Sequence, residues 1–237
     1  FYSRFIRKAA GLGQSPKVRD QGRYERVNHH TDVLIVGAGP TGIQAAKVSA
    51  ESGHDVMVLD MQASPGGHLL FHAREIDGRT ASDWMSKEVG ELQGRENVTW
   101  LQSTTATGYY DHNMVIAVEH EPAESWLKER LWHIRAEKVV IATGAVERPL
   151  IFPGNDRPGV MLADAAARYI RRFAAVPGKR VLIYTNNSTP YAHLETFKAA
   201  GIEIQGILDL RKSPSEAERS LARNSEVPVV VDARITG

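Results

Sequence analysis

The chain has 237 residues, of which 42% are hydrophobic, enough for one or two domains with cores of their own. Its 29 basic and 28 acidic side chains leave a net charge of +1, which argues against a nucleic-acid surface as the main function. With 0 cysteines, disulfides, thiolate metal sites and a cysteine nucleophile are excluded. No apolar run approaches the ~20 residues that span a bilayer, so we expect a cytoplasmic protein without a membrane partner.

Residues 1–30 are predicted to form an arm that packs on a neighbouring domain. The arm is locally basic and carries apolar side chains at Phe1, Tyr2, Phe5 and Ile6, which suit an anchor on a partner surface. A composition rich in Arg and poor in acidic residues is also typical of a transit peptide, which is the alternative. Because the chain opens on Phe1 and not on Met, we expect a fragment or a processed product.

Strands and helices alternate after the arm. In chain order the sequence predicts strand Val33–Val36, helix Thr41–Ser52, strand Asp55–Leu59, helix Ala81–Leu92, strand Val98–Leu101, a β-meander from Tyr109–Glu119 and Leu131–Ala136, strand Val139–Thr143, helix Ala163–Ala175, strand Arg180–Tyr184, a helix near Pro190–Ala200 and strand Glu203–Asp209. This order is typical of an α/β, Rossmann-like fold that binds FAD or NAD(P), with two βαβ nucleotide-binding-type units and a small β-meander.

The pattern divides the chain into three parts. We expect the arm at residues 1–30, a first dinucleotide-binding domain at 31–153 and a second, degenerate dinucleotide-binding-type unit at 154–237. The fold is expected to be incomplete at the C-terminus, because no segment returns to the first domain after the second unit. The missing C-terminal part of the same chain is therefore an expected partner.

The strongest motif lies between the first strand and the first long helix. Gly37, Gly39 and Gly42 form G-x-G-x-x-G, in which the glycines allow a tight turn, close approach of a pyrophosphate and close packing of helix on strand. Asp60 ends the second strand, where a carboxylate accepts hydrogen bonds from ribose hydroxyls. The neighbouring residues predicted to contact the dinucleotide are Ala38, Pro40, Thr41 and Met61.

Two later stretches fit the same ligand. Gly66, Gly67 and His68 lie in "SPGGHLL" soon after Asp60, so their backbone is expected near the adenosine side of a bound cofactor. Ala142, Thr143 and Gly144 end an apolar strand in "VVIATGAVERP", where a chain can pass across a dinucleotide. Each stretch alone is also compatible with an ordinary loop. His29 and His30 form a pair, but no third or fourth ligand is spaced for a metal ion, so no metal site is expected, and no residue is assigned to catalysis.

The order of these motifs resembles the flavoprotein reductases with two dinucleotide domains. More narrowly, several strings resemble the α subunit of heterotetrameric bacterial sarcosine oxidases. They are "FYSRFIRKAAGLG" (Phe1–Gly13), "GYYDHN" (Gly108–Asn113), "LWHIRAEKVVIATGAVERPLIF" (Leu131–Phe152), "NDRPGVMLADAA" (Asn155–Ala166) and "YTNN" (Tyr184–Asn187). Opine oxidase and related amine-dehydrogenase subunits share much of this pattern and remain close competitors.

The resemblance implies a subunit of an amine-oxidising flavoenzyme. In the family, the complete complex converts sarcosine to glycine, a one-carbon unit and hydrogen peroxide. The α subunit of the family holds a non-covalent NAD, whereas the amine-oxidising FAD belongs to a different subunit. By resemblance, Gly37, Gly39, Gly42 and Asp60 contact the dinucleotide. We therefore expect NAD at the first site, with FAD as the alternative, and other subunits of an amine oxidase complex as partners. The chain alone is expected to be inactive, and a non-catalytic nucleotide-binding scaffold or a reductase fragment remains the other interpretation.

The second strand–helix–strand unit departs from the motif. Thr185, Asn187 and Pro190 stand where the glycines would be, and a proline also removes an N–H group. Asp209 still ends the strand, so the scaffold is retained while the phosphate-binding turn is lost. We expect this unit to be structural, although Asn186 and Asn187 leave open that it binds another ligand.

Overall fold

The computed structural model describes residues 2–11, 17–72, 75–120 and 126–236. Phe1 and residues 12–16 of the predicted arm lie outside the described residues. Within the described part of the arm, Ser3–Ala9 forms a short helix whose Tyr2, Phe5 and Ile6 side chains are exposed. The predicted contact of these side chains with a partner surface stays a prediction.

The predicted helices and strands occur in the predicted order, and the structure adds elements that the sequence does not predict. In chain order they are α1 (Ser3–Ala9), β1 (Tyr24–Val36), α2 (Pro40–Glu51), β2 (Val56–Leu59), β3 (Glu75–Ile76), β4 (Arg79–Thr80), α3 (Ala81–Gln93), β5 (Val98–Leu101), β6 (Thr104–Tyr110), β7 (Met114–His120), β8 (Glu129–Ile141), α4 (Ala163–Phe173), β9 (Arg180–Thr185), α5 (Leu194–Ala199), β10 (Glu203–Asp209), α6 (Glu216–Asn224) and β11 (Val229–Val231). Single 3₁₀ turns lie at Gly67–Leu70, Asp111–Asn113 and Thr189–His193.

The first unit is built on a six-stranded sheet with the order β5-β2-β1-β8-β7-β6. Strands β5, β2, β1 and β8 are parallel, and β6 and β7 complete an antiparallel meander with β8. Because successive side chains of a strand point to opposite faces, Val33 and Ile35 pack under the helices α2 and α3, whereas Leu34 packs in the core of the opposite face. Because β1 and β8 are parallel neighbours, their carboxyl ends lie side by side.

Strands β1 and β8 are much longer than the sequence predicts. β1 pairs with β8 from Tyr24 to Val36, so residues 24–30, which the sequence assigns to the arm, belong to the sheet. Likewise the separate strands predicted at Leu131–Ala136 and Val139–Thr143 are one strand that ends at Ile141. Polar and exposed residues continue each strand because its backbone bonds are satisfied by the neighbouring strand, a pairing that local hydrophobicity does not reveal.

The second unit is a parallel three-stranded sheet with the order β11-β10-β9. Helices α4, α5 and α6 supply its core together with Tyr191, Ile183 and Ile207. Phe71, which comes from the first unit, is 1% exposed and belongs to this second core. The segment after the Gly66–Gly67 turn is therefore fixed between the two units. Among the described residues, no helix has the length and apolar character needed to cross a membrane.

Candidate functional site

Two glycines of the turn after β1 are required by the packing of the turn. Gly37 has a φ of +107°, and a Cβ there would lie 2.4 Å from the carbonyl oxygen of Ala142. A Cβ on Gly42 would lie 1.8 Å from the carbonyl oxygen of Gly37, far inside van der Waals contact. These positions hold strand β1, helix α2 and the end of β8 together, so side chains are excluded there whether or not a ligand binds.

Gly39 lies in a different environment. A Cβ at Gly39 would meet no atom of the described residues within 4 Å, so the space above this turn is open. Gly39 is also the N-cap of α2, where no side chain caps the helix, and Pro40 takes a first-turn position. The first N–H groups and the helix dipole are thus available to an anion, a contact worth about 0.3–1 kcal/mol. This is the geometry expected for a bound phosphate.

The second predicted stretch packs directly on the glycine turn. The Gly66 N–H donates to the carbonyl oxygen of Ala38 at 2.7 Å. A Cβ added to Gly67, which has a φ of +53°, would lie 3.2 Å from the Cα of Gly39. Both glycines therefore allow two turns from different parts of the chain to touch.

The third predicted stretch closes the other side of the same turn. The Ala142 N–H donates to the carbonyl oxygen of Val36 at 2.8 Å, and the Thr143 Cα lies 3.2 Å from the position of a Cβ on Gly37. Gly144 follows with a φ of +73° and is exposed. The structure therefore brings together the three stretches that the sequence singles out, at the carboxyl ends of β1 and β8.

Asp60 is oriented by the backbone of the glycine turn. Its side chain is 8% exposed, and its two carboxylate oxygens accept hydrogen bonds from the N–H groups of Ala38, at 2.6 Å, and Gln62, at 2.7 Å. Each oxygen keeps a further lone pair for another donor. The contact between Asp60 and a ribose stays a prediction, as does that of Met61, which is 67% exposed.

In the second unit, the residue that corresponds to Asp60 is already engaged. Asp209 is fully buried and accepts hydrogen bonds from the Tyr191 hydroxyl, at 2.9 Å, and from the Arg211 guanidinium, at 2.7 and 3.0 Å. Burial alone would raise the pKa of Asp209, but the bonds from Arg211 and Tyr191 hold it below its usual value. Arg211 also pairs with Glu218 at 2.9 Å. This network leaves Asp209 no open side toward a ligand.

The turn after β9 is satisfied by its own side chains. The Asn187 N–H donates to the Thr185 hydroxyl at 3.1 Å, and the Thr189 N–H donates to the Asn187 side-chain oxygen at 2.9 Å. Pro190 follows at the start of the next turn of helix. N–H groups that would bind a phosphate in the first unit are thus used internally or absent in the second.

Two further features of the site region involve Glu147 and the strand β9. Glu147 caps α4, since its carboxylate accepts from the N–H groups of Ala163, at 3.3 Å, and Asp164, at 2.8 Å. A cleft of about 520 Å³ separates the segment 147–163 from the outer strand β9. No pattern in the sequence indicates either feature, because both depend on where an irregular segment lies against distant elements.

A third feature is a group of histidines beside the Gly66–Gly67 turn. His68, His72 and His193 gather around Asp164 at the contact between the two units. The spacing of four residues between His68 and His72 is a signal for one shared helical face, and it is visible in the sequence. Their convergence with residues of the second unit is not.

Comparison with known proteins bears out the fold. Residues 31–184 match the family of pyridine nucleotide-disulphide oxidoreductases. The structure of L-proline dehydrogenase from P. horikoshii superposes with a TM-score of 0.63 and 26% identity over 81% of this chain and 37% of that one. Thioredoxin reductase from Lactococcus lactis superposes with a TM-score of 0.61 over 85% of this chain and 64% of that one, and at 20% identity it is a likeness of fold alone.

The curated relatives confirm the resemblance seen in the sequence. The alpha subunit of sarcosine oxidase from Rhizobium meliloti (strain 1021) is 42% identical over 94% of this chain and 23% of its own length. Its counterpart from Corynebacterium sp. (strain P-1) is 41% identical over 87% of this chain and 22% of its own length. An opine oxidase subunit from Agrobacterium tumefaciens (strain Ach5) is 30% identical over 77% of this chain and 37% of its own length. The chain thus spans less than a quarter of the two sarcosine oxidase subunits.

Proposed function

Because the chain belongs to the pyridine nucleotide-disulphide oxidoreductase family, we propose that it is the dinucleotide-binding part of an oxidoreductase subunit that acts on an amine. Membership of this family implies binding of a flavin or a pyridine nucleotide. The names of the relatives point to sarcosine as the substrate of the complete enzyme, and their subunit designations point to other subunits as partners. Cytoplasmic location stays a prediction.

One observation carries this proposal. Three stretches far apart in the sequence meet at the carboxyl ends of β1 and β8, and the glycines at their contacts leave open space over Gly39. Ligands of open α/β sheets bind at such an edge, between neighbouring strands whose connections run in opposite directions. In this sheet β1 continues to β2 on one side and has β8 on the other. This position supports a dinucleotide as the ligand of the site.

We infer that the ligand is NAD, with FAD as the alternative. Phosphates would lie over Gly39 and Gly42 at the start of α2, and adenosine would lie toward Asp60. The Asp60 carboxylate is held by two backbone N–H groups, and Met61, Gln62 and Ala63 follow it without a basic side chain. A ribose 2′-phosphate beside Asp60 would thus meet a negative charge, and none of these three following side chains offsets it, which favours NAD over NADP.

A non-catalytic scaffold is the second candidate, and the engaged Asp209 favours it. Because Asp209 and the turn after β9 are engaged by the chain's own groups, the second unit lacks the phosphate-binding turn that hydride transfer between two dinucleotides would need. The nucleotide would then stabilise the fold without changing its redox state. The two candidates differ in one measurement on the complete complex: absorption of the bound nucleotide during turnover changes if it is a redox cofactor and stays constant if it is structural.

Calorimetric titration of the chain with NAD, NADP and FAD tests the site. We expect NAD to bind more tightly than NADP, and Asp60→Ala to weaken NAD binding roughly 10- to 100-fold, the loss of charged hydrogen bonds worth about 1.5–3 kcal/mol. Asp111→Ala, an exposed carboxylate of the 3₁₀ turn before β7, is the matched control and keeps wild-type affinity. Equal NAD affinities for wild type and Asp60→Ala would refute the role of Asp60. If FAD bound more tightly than NAD, FAD and not NAD would be the cofactor of this site.

A further inference from the structure

Four polar side chains meet where the first unit touches the second. His68 and His72 come from the segment after the Gly66–Gly67 turn, Asp164 lies in the first turn of α4, and His193 ends the 3₁₀ turn before α5. Phe71, buried in the second core, fixes the first segment against the second unit. The group is therefore assembled by the fold from three separate elements, and of its members only His68 belongs to the predicted nucleotide site, where its backbone is the expected contact.

The backbone places two of the histidines one above the other. The His72 N–H donates to the carbonyl oxygen of His68 at 3.0 Å, which closes one helical turn between them. Their rings are stacked, with centroids 5.5 Å apart and an angle of 2° between the planes. One donor atom from each of His68, His72 and Asp164 lies within 4.8 Å of the other two. Two imidazoles and a carboxylate thus bring donor atoms close to one another.

The ring of His72 is buried and has no hydrogen-bond partner among the described residues. The residue is 6% exposed, and among the described residues neither of its ring nitrogens makes a hydrogen bond. Its Nε2 lies 3.5 Å from Asp164 Oδ1, outside the usual range of about 2.7–3.2 Å. A buried polar group without a partner costs about 1–3 kcal/mol. A neutral imidazole keeps a lone pair on one ring nitrogen, and that nitrogen can bind a metal ion.

His193 holds the Asp164 carboxylate through a hydrogen bond. Its Nε2 lies 2.7 Å from Asp164 Oδ1 in a hydrogen bond, and its side chain is fully buried. This distance is too short for both atoms to bind one ion, since donors around a tetrahedral zinc lie about 3.3 Å apart. His193 is therefore a positioning residue. Hydrogen bonds of this kind orient the ligating groups of metal sites.

We propose that His68, His72 and Asp164 bind a divalent ion of the first transition row, such as Zn²⁺. Two nitrogen donors and one carboxylate suit zinc and its neighbours in the first transition row, whereas Mg²⁺ and Ca²⁺ require oxygen donors. Three protein ligands leave a position for water. His68 is exposed, so the ion enters from solvent and the His68 side chain closes the remaining distance by rotation. The ion links the Gly66–Gly67 segment to α4 and thereby stabilises the contact between the units.

The test is titration of the 237-residue chain, prepared without a polyhistidine tag, with Zn²⁺ in a calorimeter and with Co²⁺ followed by visible absorption. We expect one ion per chain, a rise in the melting temperature with Zn²⁺, and no binding of Mg²⁺. His68→Ala and Asp164→Asn should each weaken Zn²⁺ binding at least about tenfold, the lower bound for disrupting even the surroundings of a metal site. His54→Gln is the matched control, because His54 is an exposed histidine outside the cluster, and it keeps wild-type affinity.

The choice of variants keeps the outcome decisive. Replacing the buried His72 can damage folding by itself, so the exposed His68 and the isosteric Asp164→Asn carry the test, with the melting temperature of each metal-free variant as the check of folding. Absence of saturable Zn²⁺ and Co²⁺ binding to the wild type would overturn the proposal. Wild-type affinity in both His68→Ala and Asp164→Asn would overturn it as well, because the ion would then sit elsewhere.

Discussion

At the scale of single residues, the glycines after β1 fall into two groups: two are required by the packing of the turn, and one is not. Gly37 and Gly42 lack side chains because backbone oxygens occupy the space that a Cβ would need, at 2.4 and 1.8 Å. Gly39 lacks one although its surroundings are open. Its φ of −75° is accessible to any residue, so backbone strain gives no reason for a glycine there. Apart from the preference of an N-cap for glycine over alanine, the physical reason that remains is space for something outside the chain.

Alanine substitutions at Gly42 and Gly39 should therefore affect different properties, stability at Gly42 and NAD binding at Gly39. We expect Gly42→Ala to lower the free energy of unfolding by about 1–3 kcal/mol or more, since the clash is with backbone. Gly39→Ala should change it by about 1 kcal/mol or less, the effect of a poorer N-cap, while NAD affinity falls at least tenfold, or about 1.4 kcal/mol. Urea denaturation and calorimetry measure the two quantities on the same samples.

Gly90 provides the control for these substitutions. It lies in the exposed part of α3, and a Cβ there would meet no described atom within 4 Å. Gly90→Ala should raise the free energy of unfolding by up to ~1 kcal/mol through helix propensity and leave NAD binding unchanged. If Gly39→Ala bound NAD as well as the wild type, the open space over Gly39 would not be the phosphate site.

At the scale of elements, the local signals of the sequence identify some ends better than others. The helix α6 begins with a capping box, in which Ser215 and Glu218 each accept a hydrogen bond from the other residue's backbone N–H. That signature, Ser followed three residues later by Glu, stands in the sequence and predicts the helix start, yet α6 and β11 are absent from the predicted elements. Their mixed composition gives little periodicity, and the cap is the remaining local signal.

Glu218 also makes the second unit sensitive to acid. Burial alone would raise its pKa, but hydrogen bonds from Ser188, Ser215 and Arg211 lower it to about 2, from 4.5. The folded state therefore binds a proton less readily than the unfolded state, so the stabilisation is complete above pH 4.5 and is lost as the pH falls toward 2. We expect Glu218→Gln to be less stable at pH 7 and to lose stability less steeply between pH 4.5 and 2, measured by urea denaturation across that range.

Glu216→Gln is the comparison for this effect. Glu216 is on the same helix, and its pKa is lowered by Arg223, but the pair is exposed. Exposed ion pairs contribute little, about 0–1 kcal/mol, and salt screens them. Its substitution should leave the acid dependence close to that of the wild type. An acid dependence of Glu218→Gln identical to that of the wild type would mean that Glu218 is not held as the structure shows.

The elements also show what the sequence predicts and what it does not. The G-x-G-x-x-G spacing and the apolar strand before it are local, so the first strand–turn–helix and the packing roles of Gly37 and Gly42 are predicted correctly, whereas the role of Gly39 stays a prediction. The length of β1 depends on its ladder with β8, about a hundred residues away in sequence. The bond from Ala38 to Asp60 and the meeting of Asp164 with His72 are likewise products of long-range packing. Such contacts have no counterpart in local spacing.

At the scale of the whole molecule, the chain repeats one scaffold and uses its two copies differently. Both units order parallel strands around a strand–helix–strand core, and both end their second strand in an aspartate, Asp60 or Asp209. In the first unit the aspartate is tied to the glycine turn and the turn is open. In the second, Tyr191 and Arg211 cover the aspartate and the turn closes on itself. The second unit thus packs around Phe71 and holds the segment beside the nucleotide turn in place.

This asymmetry predicts that the chain binds one dinucleotide and not two. Calorimetric titration with NAD should give a stoichiometry of one per chain, and the free energy of unfolding should rise by about 2.7 kcal/mol when free NAD is one hundred times its dissociation constant. Asp209→Asn should be less stable, because a carboxylate is removed from a buried network with Arg211, yet it should bind NAD with the same stoichiometry and affinity as the wild type. Two outcomes would contradict this: binding of a second equivalent of NAD, or an NAD affinity that falls in Asp209→Asn but not in Asp60→Ala. Either would mean that the second turn opens in solution and that the two copies share the binding function.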